Sequence, residues 1–159
     1  MSDIAVRKIA SNEDLEHAFY IRRRVFMEEQ KVSEADEYDG LDESSTHFLA
    51  FYGSQPAGTA RWRYVENNVK LERFAVLVSF RGKGVGKELL KKVMGDVLAT
   101  VPLGTRVFLH AQVDVVPLYQ SHGFVTVGEE FEECNILHIE MEYDTIADFE
   151  KISLEIETS

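Results

Sequence analysis

The sequence predicts an α+β fold, a mixed sheet with helices packed on it, in the order β-α-β-β-β-α-β-α-β-β. Three observations carry this prediction. Seven short runs alternate or cluster apolar residues as strands do. Two long segments and one short one place them at helical spacing. Glycine, proline and asparagine stand at the joints between these runs.

The first strand is IAVRKIA (4–10). Ser11, three residues before Asp14, forms a capping-box-like helix start, and Leu15, Ala18, Phe19, Val25 and Phe26 continue at helical spacing until about Glu29 or Gln30. Residues 28–43 carry eight acids against Lys31 alone and read as a loop with room for a short helix. HFLAFY (47–52) and GTARWRYVE (58–66) are strands joined by the Gly53–Pro56 turn. Asn67-Asn68 then turns the chain into VKLERFAVL (69–77). From Val85 to Val101 the residues Val85, Leu89, Leu90, Val93, Val97, Leu98 and Val101 make one apolar stripe, with Lys87, Glu88, Lys91, Lys92 and Asp96 mostly opposite, and Pro102 and Gly104 end it. RVFLHAQ (106–112) is a strand, VVPLYQSH (115–122) a short helix stopped by Gly123, and residues 124–144 give two closing strands. The tail from 145 to 159 reads both as strand and as helix.

A chain of 159 residues, 45 % apolar and 11 % aromatic, suits one folded domain. We place that domain at 1–144, with 145–159 an acidic tail belonging to it or partly ordered. With 17 Lys and Arg against 28 Asp and Glu, the net charge of −11 argues against sequence-independent nucleic-acid binding. The single cysteine, Cys134, makes neither an internal disulfide nor a cysteine-cluster zinc site and reads as a buried or idle thiol; no metal is expected. No run has signal-peptide or membrane-spanning length, so a soluble, cytoplasmic protein without a membrane partner is expected.

The chemistry concentrates in RGKGVG (81–86). A dinucleotide fingerprint needs G-x-G-x-x-G, but Gly82, Gly84 and Gly86 are spaced two and two. A nucleoside-triphosphate loop needs four residues between its glycines and a hydroxyl after its lysine. Here three residues intervene and Glu88 follows Lys87. What remains is a glycine-rich turn opening a helix, with Arg81, Lys83, Lys87, Lys91 and Lys92 against Glu88 alone. Free backbone N–H groups, the helix dipole and a local charge of +4 suit one phosphate group. The plainer alternative is a glycine turn with a solvated lysine face.

Arg81-x-x-Gly84-x-Gly86, preceded by LERFAV and followed by an amphipathic helix, resembles the acetyl-CoA-binding motif of the GNAT N-acetyltransferase superfamily. AQVDVVPLYQSHGF (111–124) resembles that superfamily's strand-then-helix segment with its tyrosine. IRRRVFMEEQKVSEADEYDGLDE (21–43), the AQ at 111–112 and VGEEFEECNILHIEM (127–141) are similar to its ElaA-like branch, and the likeness runs from about residue 4 to 143. Val78 departs from the proline common there.

The resemblance implies a mostly antiparallel central sheet flanked by helices, and acetyl transfer from acetyl-CoA, as co-substrate, to a small-molecule primary amine. It implies that backbone groups of Arg81, Gly82, Lys83, Gly84, Val85 and Gly86, with charge from Arg81, Lys83 and Lys87, hold the pyrophosphate. Phe74, Ala75 and Val76 would pair with the pantetheine arm, and Gln112 would join the cofactor contacts. The acceptor amine must be neutral to attack, so a base is required. Glu72 is the first candidate, with a strand carboxylate paired to Arg61 or Arg63 as its alternative. A backbone N–H near Val76 would meet the oxyanion. Tyr119 fits the general acid by family position, with a packed helix-end tyrosine as its alternative. Arg22, Glu28, Glu133 and His138 are the acceptor-side residues the resemblance suggests; His110 reads more simply as structural. The acidic stretch is a solvated loop or, more sharply, a field that attracts a cationic amine. A homodimer rests on the resemblance alone. A non-catalytic acyl-CoA sensor on the same fold would use the loop equally but would need neither Tyr119 nor a base.

Overall fold

A computed structural model describes residues 3–146; the alternating tail residues Ile152, Leu154 and Ile156 lie outside them. The fold is α+β, with seven strands in a mostly antiparallel sheet. The chain divides into two compact units, Met1–Arg63 with Leu71–Gly95, and Tyr64–Lys70 with Asp96–Ser159.

In the first unit the strands run β1 (Ile4–Lys8), β2 (Thr46–Tyr52), β3 (Gln55–Val65) and β4 (Asn68–Val76). β1 pairs antiparallel with β2, Val6 opposite Ala50, and β2 with β3, His47 opposite Arg61. Pro56 belongs to β3 rather than to the turn before it. The register slips between Ala50 and Phe51, beside the residue that has no N–H to give the ladder. β3 is buried from Ala57 to Trp62 without alternation, as a strand covered on both faces must be.

Helix α1 (Asn12–Arg22) starts where Ser11 accepts a hydrogen bond from the Asp14 N–H at 3.2 Å. The expected single helix to Glu29 changes pitch. Residues Arg23–Glu29 form a π-helical stretch, and the Gln30 N–H reaches back five residues to the Val25 carbonyl at 3.1 Å. That winding keeps Ile21, Val25 and Phe26 packed with Leu49 and Ala75 in one buried cluster. The acidic stretch contains a short helix, α2 (Glu34–Glu37), capped by Ser33.

Helix α3 (Val85–Thr100) buries Val85, Leu89, Leu90, Val93 and Val97 as its stripe requires; Leu98 is exposed instead. Its start lies against β3 because of Gly58, which the sequence pattern did not single out. A Cβ there would stand 2.9 Å from Val85 Cγ1, 3.0 Å from the Ala75 carbonyl oxygen and 3.0 Å from Leu89 Cδ1.

In the second unit β5 (Val107–Gln112), β7 (Ile136–Tyr143) and β6 (Val125–Glu133) lie in that order, all antiparallel. Helix α4 (Val116–Gln120) ends at Gly123, whose φ of +94° only glycine adopts readily. β6 bulges between Val127 and Phe131. The β6–β7 hairpin turns on Cys134 and Asn135, both at positive φ, so of the two readings of Cys134, a buried or an idle thiol, burial does not hold: the residue is exposed.

The carbonyl of Ala75 is backbone and cannot yield as a side-chain tip would. Gly58→Ala is therefore expected to destabilise the protein by about 1–3 kcal/mol, roughly 3–10 °C in Tm, read by calorimetry. Gly95→Ala serves as the control for general glycine loss, since a Cβ there meets nothing within 4 Å and its φ is not positive. An unchanged Tm for Gly58→Ala would show that α3 does not need this close approach.

Candidate active site

The glycine turn has the geometry its composition suggested. Gly82 and Gly84 hold φ of +76° and +93°, and the first bond of α3 runs from the Glu88 N–H to the Gly84 carbonyl at 3.0 Å. The N–H groups of Val85, Gly86 and Lys87 thus precede the helical ladder at the positive end of the helix dipole. Lys87 is exposed, and Lys83 lies with its ammonium 5.4 Å from the centre of the Tyr52 ring. Val78, standing where proline is common, is exposed in a single 3₁₀ turn that closes just before Arg81.

Arg81 differs from the expectation of a waiting phosphate ligand. Its Nη1 and Nη2 each donate to a carboxylate oxygen of Glu29 at 2.6 Å, and its Nε donates to the Val76 carbonyl at 2.9 Å. The hydrogen bonds from Arg81 hold the Glu29 carboxyl below its ordinary range despite partial burial. Arg81 thus ties the last residue of the π-helical stretch to the end of β4. Phe74 and Val76 are half-buried there and Ala75 is buried.

Glu72 occupies the middle of an ion network. Its Oε2 accepts from Arg61 Nε at 3.0 Å, Arg61 Nη2 at 2.6 Å and Arg63 Nε at 3.0 Å, and its Oε1 accepts from Arg63 Nη2 at 2.9 Å. Of the two readings left open for Glu72, the paired strand carboxylate is the one its surroundings support. A base would have to break these contacts before taking a proton. Arg61, fully buried, also donates to Asp42 at 2.7 Å and to Asp39 at 2.6 Å. Arg22 donates to Glu37 at 2.9 Å and to the same Asp42 oxygen at 2.6 Å. Arg73 contacts Glu37 at 3.1 Å and Asp39 at 3.3 Å.

Four arginines and four carboxylates therefore neutralise one another. Arg22 is 1 % exposed, so a substrate reaches it only if the network opens. Of the acidic stretch, Glu37, Asp39 and Asp42 are anchored in this network, while Glu34, Asp36 and Glu43 stand exposed. Arg73 adopts a φ of +58° inside β4, a costly conformation for a non-glycine residue. Its guanidinium also binds the carbonyls of Asp36 at 3.1 Å and Glu37 at 3.3 Å, which hold it there. Glu28 stands exposed, 3.9 Å from Arg24.

In the second unit Tyr119 is buried, edge-on to Phe124 at 6.1 Å, and burial pushes its phenol well above the usual value, so it is protonated at neutral pH. Gln112 pairs with His138 across β5 and β7. Glu133 lies near two imidazoles, His110 Nδ1 at 3.6 Å and His138 Nε2 at 3.7 Å. Among the described residues no cluster of three or more His, Cys, Asp or Glu has metal-holding geometry, and no helix is long and apolar enough to cross a membrane.

A model of the acetyltransferase (GNAT) domain matches residues 9–145. The chain belongs to the GNAT acetyltransferase family. Among GNAT relatives, the Bacillus subtilis (strain 168) protein named uncharacterized N-acetyltransferase YjcF is 38 % identical over 138 residues, 86 % of this chain and 97 % of that one. Protein ElaA of Escherichia coli (strain K12) is 30 % identical over 130 residues, 79 % of this chain and 84 % of that one. The crystal structure of E. coli ElaA superposes with a TM-score of 0.79 at 28 % identity, over 89 % of this chain and 99 % of that one, which carries the likeness to the ElaA-like branch. A GNAT acetyltransferase of Elizabethkingia anophelis, crystallised with acetyl-CoA bound, shares the fold with a TM-score of 0.68 at 15 % identity, over 91 % of this chain and 99 % of that one.

The network predicts acid lability. Burial would raise the carboxyl of Asp39, but hydrogen bonds from Arg61 and the Leu41 N–H, with the charges of Arg61 and Arg73, overcome this and hold it at about 2 against an ordinary 3.8. Its folded value is the lower one, so its stabilisation is complete above the unfolded value and is lost as pH falls from about 4 to 2. Burial also pushes His47 below its ordinary 6.5, although Asp42 opposes this, so neutral His47 adds stability that declines as pH falls below 6.5. Asp39→Asn is expected to be less stable than the natural chain at pH 7, with the gap closing near pH 2. Urea titrations across that range measure both.

Proposed function

We propose that this chain is an acetyl-CoA-dependent N-acetyltransferase acting on a small-molecule primary amine. The observation that carries the reading is the glycine turn at the start of α3, two glycines at positive φ leading into free helix N–H groups, in a chain of the GNAT acetyltransferase family. The acetyl-CoA bound by the Elizabethkingia neighbour and the name of the Bacillus relative support it.

In this reading the diphosphate of CoA is held by the N–H groups of residues 82–87, that of Arg81 being donated to the Val78 carbonyl, with Lys83 and Lys87 supplying charge and the Arg81 side chain exchanging Glu29 for phosphate. The pantetheine arm lies along the backbone of Phe74, Ala75 and Val76, and Gln112 adds a polar contact. An N–H near Val76 meets the oxyanion that forms when the amine attacks the thioester carbon. As the C–S bond breaks, Tyr119 gives its proton to the thiolate. Burial keeps that proton in place beforehand, and the charge developing on sulfur draws it off. Glu72 holds Arg61 and Arg63 and thereby fixes β4. The protein works in the cytoplasm, and a homodimer is its proposed assembly. An acyl-CoA sensor would keep the loop and have no use for an acid.

Millimolar acetyl-CoA is expected to raise Tm by mass action, and Gly84→Asp, which puts a carboxylate and a Cβ at a φ of +93°, is expected to abolish the rise. ATP alone should give much less. Identical shifts in Gly84→Asp and the natural chain would count against the loop.

Tyr119→Phe is expected to keep that Tm shift while lowering turnover about a hundredfold or more, followed by release of free CoA thiol over an amine panel. Unchanged turnover with chemistry rate-limiting would remove Tyr119 as the acid. No thiol release with any amine, despite a Tm shift, would favour the sensor.

A further inference from the structure

Two aromatic rings beside the glycine turn have no part in the proposed function. Phe80 ends the 3₁₀ turn and is followed directly by Arg81. Its ring centre stands 5.7 Å from that of Tyr52, with a tilt of 38°. Tyr52 is the last residue of β2 and lies opposite Ile4 of β1. Partners across an antiparallel pair project to the same face. Ile4 Cδ1 in turn lies 3.7 Å from the place a Cβ on Gly84 would take. Tyr52, Phe80 and Ile4 therefore border the turn, all within the first unit.

This corner differs from the core of the same strand. His47, Phe48, Leu49 and Ala50 are buried along β2, whereas Tyr52 and Phe80 are both only half-buried. The Tyr52 ring also carries the Lys83 ammonium, 5.4 Å from its centre. Lys83 belongs to the turn itself and is exposed, so its hold on the ring is weak. A π plane, a movable cation and the helix N–H groups thus lie side by side. A bare phosphate can use the cation and the N–H groups but not the rings. A nucleotide has a use for all three.

On the acetyl-CoA reading of the turn, on which this rests, we propose that Tyr52 is the platform for the adenine ring of the cofactor, with Phe80 fixing its tilt. Adenine stacks on the Tyr52 face, and Lys83 passes from the ring to the nucleotide's phosphates, its stronger partner. Stacking needs a π plane and no hydrogen-bond donor, which is all that Tyr52 has to supply. The consequence is a choice of acyl donor. A free CoA thioester has the nucleotide and gains the platform. An acyl group on a protein-borne 4′-phosphopantetheine has the same arm and one phosphate but no adenine, and gains nothing from it. Tyr52 is thereby a residue that selects the CoA thioester as the donor.

CoA and 4′-phosphopantetheine, titrated calorimetrically into the full chain at one salt concentration, supply the test. CoA is expected to bind the natural chain more tightly. In Tyr52→Leu, which keeps apolar volume and removes the ring, the ratio of the two affinities should fall about fivefold or more. Tyr52→Phe should retain it. Phe80→Leu should lower it in the same direction, and decides the matter if Tyr52→Leu does not fold. The adenine H2 and H8 NMR signals of CoA should move upfield on binding to the natural chain and to Tyr52→Phe, but not to Tyr52→Leu. An unchanged ratio in a folded leucine variant, or adenine signals that do not move, would overturn the platform and leave the turn as a diphosphate site. Failure of the natural chain to bind either ligand would overturn both.

Discussion

The buried guanidinium of Arg61 is the constraint on which the first unit turns. It sits on β3, a strand covered on both faces, and has no access to water. A charge in that position is tolerated only if its donors all find acceptors. Asp39, Asp42 and Glu72 provide them, and Asp42 shares one oxygen with Arg22 on α1. One side chain thereby fixes β4, the end of the first helix and the segment after α2. Removing a single partner would strand a buried charge, at a cost of about 3–5 kcal/mol. The network is therefore better read as a device that fixes one arrangement than as a source of net stability.

That arrangement bears directly on the glycine turn. Glu72 and Arg73 are neighbours on β4, and the network holds both, Arg73 in a backbone conformation it would not adopt alone. The strand leads from this kink through Phe74 and Ala75 to Val76, whose carbonyl receives Arg81. On the other side Gly58 lets Val85 and Leu89 close against β3. The turn between these two fixed points has glycine where φ is positive, so its N–H groups are oriented before any ligand arrives.

Much of this was legible in the sequence because it depends on local rules. Period-2 and period-3.6 patterns marked the strands and long helices, Ser11 and Gly123 marked helix ends, and glycine spacing separated the turn from the two better-known phosphate loops. What escaped depends on partners distant in sequence. Arg61 lies between Ala60 and Trp62; Glu72 was already its candidate partner, but nothing local shows that Asp39 and Asp42 surround it as well. Gly58 looks like an ordinary strand glycine until α3 is laid on it. Within the acidic stretch, the anchoring of Glu37, Asp39 and Asp42 escaped since their cations come from residues 22, 61 and 73. The π-helical winding after Arg22 has no composition signal, and Glu133 between two histidines required the pairing of β5, β6 and β7.

The sequence showed a local positive charge at the turn, and in the structure one of its cations, Arg81, is paired with Glu29. Arg81 is bound to Glu29, yet both side chains remain substantially exposed, and such pairs contribute little, about 0–1 kcal/mol. A diphosphate brings more negative charge than one carboxylate and meets the helix N–H groups at the same time, so exchanging Glu29 for it costs little. Meanwhile Glu29 keeps an otherwise uncompensated arginine from repelling Lys83 and Lys87. The buried network and the exposed pair thus divide the work. Arg61 is paired where breaking the pair is prohibitive, and Arg81 where breaking it is cheap, as the exchange proposed for Arg81 requires.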